Sequence, residues 1–343
     1  MVTQQYLDGN DRHSPNGHLP SNGLPASSPH LPRWRNYTAF VLSGGTARGA
    51  LQVGALRALL ERDIRPDVII GTSIGAWNGA WLARNPTLES IAALEDLWRT
   101  VHPVRVLLGR EPLAGSPQQA VRGVLMLAAA QRFAAGHPSL YGNAGLKNFV
   151  KKAIGDATFE QMQVPLRIIA TDITHGRRTI FSSGPIAPAA LATAAIPGIF
   201  PPVRIGDAVY VDGGAVDNAS IETALVLGAR RIFVVDVGYD DSNSGAALWS
   251  EETAATVKPR GNSSHALGAV LERTVQVVSR YQIERALARV PRGVEVHVIH
   301  AATGARGGSL DFERAPVWMK QGYVFTQKYL ESQLPTATMT LNR

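Results

Sequence analysis

The chain has 343 residues, 45% hydrophobic and 18% charged, enough for one large domain with a substantial core or for two small ones. Its 33 glycines and 21 prolines mark many turns, and the absence of cysteine excludes disulfides, thiolate metal sites and a cysteine nucleophile. A net charge of +7 is spread along the chain without a long Lys/Arg tract, a zinc-finger pattern or an RNP-like motif, so nothing marks a nucleic-acid binder, while an anionic membrane surface or an acidic substrate stays open.

Residues 1–35 are rich in Pro, Ser, Asn, Gly and His and lack the apolar core of a secretion signal. That composition predicts a disordered tail, with the cytoplasm as the default location. One folded domain is expected over 36–335. Tyr37 to Ser43 reads as a strand, Gly44 to Gly49 breaks it, and Ala50 to Arg62 reads as a helix with Leu51, Ala55, Leu56, Leu59 and Leu60 on one side. Val68 to Thr72 is the second strand and Ile74 to Arg84 the helix after it. A strand–turn–helix unit used twice predicts a parallel α/β sheet.

The stretch from about 100 to 150 is helical but irregular, and Val121 to Phe133 is an apolar amphipathic helix too short to span a bilayer. Most of this insert reads as ordinary packing, with a lid or lipid-contacting surface as the alternative. Strand-like runs follow at Pro165–Thr171, Arg178–Phe181 and Ala208–Val211, then a short helix at Ile221–Leu227 and a buried strand at Arg230–Val237. A mobile surface loop is expected over 239–264, then a helix at His265–Arg289, a strand at Val294–Ile299, a helix at Pro316–Leu330 and a C-terminal tail over 336–343.

Three short stretches carry chemistry. Gly71-Thr72-Ser73-Ile74-Gly75 has the form of a strand, a sharp turn bearing a serine, and a helix whose positive end favours a developing alkoxide. A serine hydroxyl needs a base to become a nucleophile. The competing reading makes Ser73 only a helix N-cap. Gly44-Gly45-Thr46-Ala47-Arg48-Gly49 follows the first strand, and its backbone N–H groups would converge on an anion. It lacks the Gly-Lys-Ser/Thr of a Walker loop, and Thr46 occupies the second glycine of a dinucleotide fingerprint. A nucleotide phosphate, the oxyanion of an acyl-transfer intermediate and a simple turn all remain open. In Asp212-Gly213-Gly214 the glycines leave a carboxylate approachable, and burial beside a hydroxyl would raise its basicity. Asp-Gly-Gly is also ordinary turn chemistry.

Taken together, and with Ala192 to Pro202 as a fourth stretch, these motifs resemble the patatin-like phospholipase family from about Phe40 to Val237, and more weakly near Leu310 to Gly322. The resemblance implies a three-layer α/β/α sandwich with a mainly parallel central sheet. It also implies a Ser–Asp dyad in place of a triad, with Ser73 as nucleophile and Asp212 as base. Backbone N–H groups of Gly44, Gly45 and Thr46 would form the oxyanion hole, with Arg48, Gly49, Gly71, Gly75, Gly213 and Gly214 shaping the loops. Thr46 stands where the family usually has a third glycine, and a threonine does not easily adopt a positive φ angle. The implied activity is hydrolysis of fatty-acyl esters of phospholipids, lysophospholipids or related lipids, without metal or cofactor, in transient contact with a membrane surface. Two rivals stand beside it. One is a Ser–Asp–His triad using His297 or His300 with Asp172 or Asp236; the other is a non-catalytic lipid-binding scaffold. His175 precedes Asp212 and fits no triad order. Asp172 lacks following glycines and reads as structural, and His13, His18 and His30 show no ligand spacing.

Overall fold

The computed structural model describes residues 37–112, 118–238, 266–303, 305, 308 and 310–334. The expected N-terminal tail, the 239–264 loop and the C-terminal tail lie outside the described residues. A run such as Ala39-Phe40-Val41-Leu42 is apolar on both sides of its pleat and must be covered on both. Strand β1 (Thr38–Leu42) is buried throughout and sits in the middle of an eight-stranded sheet. Phe40 and Leu42 enter one apolar cluster with Leu51, Leu56 and Leu59 of helix α1 (Gly49–Glu61). Ala39 and Val41 enter a second cluster with Ile221 and Ala224 of α8 (Ile221–Val226) and Ile283 of α9 (Ala266–Leu287). Helices on both faces make this the expected three-layer α/β/α sandwich.

The other strands are β2 (Val68–Thr72), β3 (Leu166–Asp172), β4 (Arg177–Phe181), β5 (Val203–Ile205), β6 (Ala208–Asp212), β7 (Arg231–Asp236) and β8 (Glu295–His300). Their order is β5-β6-β3-β2-β1-β7-β8, with β4 also paired to β3. The run β3-β2-β1-β7-β8 is parallel, whereas β4, β5 and β6 are antiparallel to their partners.

One detail of register places the site. Gly71 and Thr72 pair with Ile168 and Ile169 of β3, while Asp212 and Val211 pair with Ala170 and Thr171. Strand β4 covers Ile168 to Asp172 and so takes the opposite edge from both. Strands β2 and β6 therefore lie end to end along one edge of β3. Their last residues, Thr72 and Asp212, pair with neighbouring residues of that strand.

The insert resolves into α3 (Leu88–Arg99), α4 (Pro103–Leu108), α5 (Gln118–Ala134) and α6 (Ala144–Ala153). Packing is the rule for α4 and α6, which bury Val106, Leu107, Leu146 and Val150, but α5 leaves several large apolar side chains exposed. Helix α2 (Ile74–Arg84) follows β2 as expected. Helix α7 (Ile186–Thr193) buries Ile186, Ala189, Ala190 and Thr193 on one side, but Ala187, Pro188 and Leu191 on its half-exposed side are apolar too, so its sequence shows no amphipathic period.

Helix α10 (Ala315–Gln333) lies against α1 through two glycines that sequence reading does not single out. A Cβ at Gly54 would stand 2.6 Å from the Tyr323 nitrogen, and one at Gly322 2.8 Å from the Leu51 carbonyl carbon. Gly54→Val should therefore lower the unfolding free energy by about 1–3 kcal/mol in a urea titration. Gly123→Ala on α5, where a Cβ meets nothing within 4 Å, should raise it by about 0.5–1 kcal/mol. Equal effects from the two would contradict the close α1–α10 contact.

Candidate active site

Ser73 occupies the turn between β2 and α2 with φ 53° and ψ −124°. A non-glycine residue there is strained by roughly 1–3 kcal/mol. The turn closes tightly because its neighbours lack side chains. A Cβ on Gly71 would come 2.5 Å from the Ala76 Cα, and one on Gly75 2.6 Å from the Leu42 carbonyl carbon. The side chain of Ser73 makes no helix-capping hydrogen bond, which decides against the N-cap reading. The hydroxyl instead lies near enough to the Asp212 carboxylate to draw down its proton affinity.

Both residues are buried, Ser73 at 5% and Asp212 at 7% exposure. Desolvation pushes the Asp212 carboxyl up to about 6, against the opposing pull of the nearby Ser73 hydroxyl and the Gly214 N–H. The Gly214 bond is 2.8 Å long. The Asp212 N–H donates to the Ala195 carbonyl at 2.9 Å, and its own carbonyl accepts from the Thr171 hydroxyl at 2.8 Å. Gly213 is wedged against the Ile169 carbonyl and the Thr72 methyl, where no side chain fits. The carboxylate is thus held from its backbone as well as from its oxygens.

Two further residues brace the site. Thr193, at the end of α7, accepts the Ser73 N–H at 2.7 Å and donates its hydroxyl proton to the Ile169 carbonyl. It thereby fixes the strained serine to β3. Its only sequence signal is its position inside the Ala192–Pro202 stretch. Asn218, a few residues past Asp212, accepts the Gly44 N–H on its side-chain oxygen at 3.0 Å and on its backbone carbonyl at 3.3 Å. Its side-chain nitrogen donates to the Ser279 hydroxyl of α9 at 2.6 Å. Nothing local in the sequence flags Asn218, because its partners are far away along the chain.

The glycine loop differs from expectation in two respects. The Gly44 N–H, expected to face an oxyanion, is spent on Asn218. Among the described residues no acceptor partners the Gly45 N–H. Thr46 does adopt a positive φ, 51°, with its hydroxyl donating to the Gly45 carbonyl at 2.8 Å. The loop lies beside the serine, since a Cβ on Gly44 would stand 3.1 Å from the Ser73 Cβ. Arg48 is buried at the end of the loop, and Gly49 abuts Ile74 and Trp98. A buried polar chain supports it from below. Trp98 Nε1 donates to Asn78 at 3.0 Å, Asn78 donates to Gln52 at 2.9 Å, and Gln52 donates to the Ser43 carbonyl at 2.8 Å.

The histidines of the rival triad lie elsewhere. His297 and His300 are on β8, three strand positions from β2 in the order β2-β1-β7-β8, or about 14 Å at the usual strand spacing. His297 bonds Glu295 and stacks on Phe233, and His300 bonds Asp236. Asp172 accepts from His175 and Arg177 in the β3–β4 turn. Among the described residues no group of three or more His, Asp or Glu side chains is arranged to hold a metal ion, and no helix is long and apolar enough to cross a membrane.

A patatin-like phospholipase model matches residues 40–225. Among relatives, patatin-like phospholipase domain-containing protein 7 of Rattus norvegicus is 30% identical over 222 residues, covering 62% of this chain and 15% of that protein. Lysophospholipase nte1 of Aspergillus terreus is 33% identical over 207 residues, covering 60% and 12%. Lysophospholipase nte1 of Emericella nidulans is 28% identical over 303 residues, covering 85% and 18%. The chain therefore spans less than a fifth of the length of these relatives. With the matched region running from β1 through α8 and taking in both the Ser73 turn and the Asp212 strand end, the chain belongs to the patatin-like phospholipase family.

Proposed function

We propose that this chain is a serine acyl hydrolase acting on fatty-acyl esters of phospholipids or lysophospholipids, with Ser73 as nucleophile and Asp212 as its base. The observation that carries the reading is that β3 brings a strained serine elbow and a buried carboxylate of raised proton affinity to neighbouring positions. The names of its relatives support the lipid class.

In the first step Asp212 accepts the Ser73 proton as Oγ attacks the ester carbonyl carbon. The carbonyl electrons move onto oxygen, and we assign the N–H groups of Gly45 and Thr46, with the N-terminus of α2, to that oxyanion. Collapse expels the alcohol or lysolipid, which takes the proton from Asp212. In the second step Asp212 deprotonates a water that attacks the acyl-enzyme, and the returning proton restores Ser73 as the fatty acid leaves. An alcohol or lysolipid in place of that water would give acyl transfer from the same dyad. Gly44 acts in this scheme as a spacer held by Asn218. Membrane contact follows from the substrate, since such lipids reside in bilayers.

Ser73→Ala should abolish hydrolysis of a short p-nitrophenyl ester by on the order of 10⁴-fold, and Asp212→Asn should cost at least about 10³-fold. Retained activity in Ser73→Ala would overturn the assignment. Thr193→Val, which leaves the strained Ser73 N–H without its acceptor, should lower kcat with little change in KM.

The carboxyl works only when ionised. Log kcat/KM should therefore climb by about one per pH unit below about 6 and flatten above it. Stability runs the other way. A carboxyl raised from 3.8 to about 6 costs the folded state about 3 kcal/mol once pH exceeds both values, and nothing below the lower one. Asp212→Asn should accordingly raise the unfolding free energy at pH 8 and lose that gain below pH 4. A gain that persists unchanged in acid would contradict the raised affinity.

A further inference from the structure

The outer face of a helix that meets water is normally polar. Helix α5 departs from that rule. Its inner side is conventional: Val121 is buried, Leu125 and Ala129 pack on the main apolar cluster, and Arg132 turns back to donate to the Ser139 carbonyl at 3.2 Å. On its outer side Val124, Met126, Leu127 and Phe133 are 53%, 55%, 61% and 76% exposed. Ala130, Gln131 and Ala134 are exposed with them. An exposed apolar face of this kind marks an interaction surface.

Charge narrows the partner. From residue 112 to residue 155 the sequence contains no Asp or Glu, while it contains Arg122, Arg132, Lys147, Lys151 and Lys152. Lys147, Lys151 and Lys152 are exposed on α6. Helix α4 packs against both α5 and α6, and a groove of about 390 Å³ opens between α4 and α5, lined by Leu107, Leu108, Arg110, Val124 and Leu127. An exposed apolar face within a segment that carries cations and no acid suits an amphipathic anionic surface. A second copy of the chain suits it poorly, because a two-fold contact would set two segments that carry cations and no acid against each other.

The position of α5 also matters. The Tyr141 hydroxyl donates to the Leu125 carbonyl at 3.3 Å, and the Leu140 and Tyr141 N–H groups donate to the Gly198 and Ile199 carbonyls at 2.9 Å. Those residues closely follow Ala195, whose carbonyl accepts the Asp212 N–H. The apolar face is therefore tied through a short backbone path to the strand end that carries Asp212.

We propose that the outer face of α5, together with the exposed lysines of α6, docks this chain on an anionic lipid bilayer. The apolar side chains enter the boundary between headgroups and acyl chains, and the ammonium groups meet lipid phosphates. The inference rests on the acyl-hydrolase reading for its purpose but not for its test.

Flotation of the Ser73→Ala chain with vesicles of phosphatidylcholine, with or without phosphatidylglycerol, reads docking without consuming the lipid. Binding should require phosphatidylglycerol and weaken with salt. Leu127→Asp with Phe133→Asp should weaken it by at least about tenfold. Lys147→Gln with Lys151→Gln and Lys152→Gln should weaken it by on the order of 100-fold at low salt. All of these positions are exposed, so the thermal midpoint should stay that of the parent. With Ser73 restored, the variants should keep short-ester hydrolysis and lose hydrolysis of vesicle lipid. Absence of short-ester hydrolysis in the unmodified chain would refute the hydrolase reading alone. Vesicle binding undiminished in both variants would overturn the docking surface. So would conversion of a dimer to monomers by Leu127→Asp with Phe133→Asp while binding persists, which would give the face to a second copy.

Discussion

Two strands end at neighbouring positions of β3, which brings the Ser73 turn and the Asp212 carboxylate to one place, and the rest of the site is arranged around that junction. Strand β2 arrives parallel to β3 and stops at Thr72, and β6 arrives antiparallel along the same edge and stops at Asp212. Neither residue reaches the other through its own helix or loop. The juxtaposition exists because β3 is long enough to pair with both strands in succession, and because Gly213 lets the chain turn away beneath the Thr72 methyl. A side chain at Gly213 or a shift in β6 register would separate the pair while leaving the sandwich intact.

Such an arrangement is held against opposing costs. Two of the positive-φ residues that are not glycine, Thr46 and Ser73, flank the same space, at roughly 1–3 kcal/mol each. A buried carboxylate adds a comparable term. What offsets these locally is a set of directed hydrogen bonds: Thr193 to the Ser73 N–H, Asn218 to the Gly44 N–H, and Gln52 to the Ser43 carbonyl. The second of these links the loop beside the serine to Ser279 of α9, so three parts of the chain that are distant in sequence share one polar framework. Strain kept in place by a surrounding framework is a common mark of a catalytic centre.

The parts of this framework differ in how plainly the sequence announces them. The parallel sheet was legible because Val68-Ile69-Ile70 and Arg231 to Asp236 are apolar runs followed or preceded by turn chemistry, and local patterns of that kind survive folding unchanged. Ser73 and Asp212 were legible because glycines mark the tight turns around them. Thr193 and Asn218 were not, since a hydroxyl or amide acquires its role only from partners set by the tertiary fold. Helix α7 is hidden because Ala187, Pro188 and Leu191 on its half-exposed side are as apolar as its buried residues. Thr46 shows the limit of a rule about allowed φ angles: a β-branched residue adopts 51° when its own hydroxyl bonds the preceding carbonyl. Ordinary packing describes α4 and α6 but not α5, which leaves Val124, Met126, Leu127 and Phe133 exposed.

A relay confined to two residues is tested most directly by covalent labelling with an alkyl fluorophosphonate, read at Ser73 by mass spectrometry, in a chain whose nine histidines have all been replaced. With folding checked by circular dichroism, label should still form in the histidine-free chain and fall by at least about 10³-fold once Asp212→Asn is added. Loss of labelling in the folded histidine-free chain, or labelling undiminished by Asp212→Asn, would contradict a serine activated by that carboxylate alone.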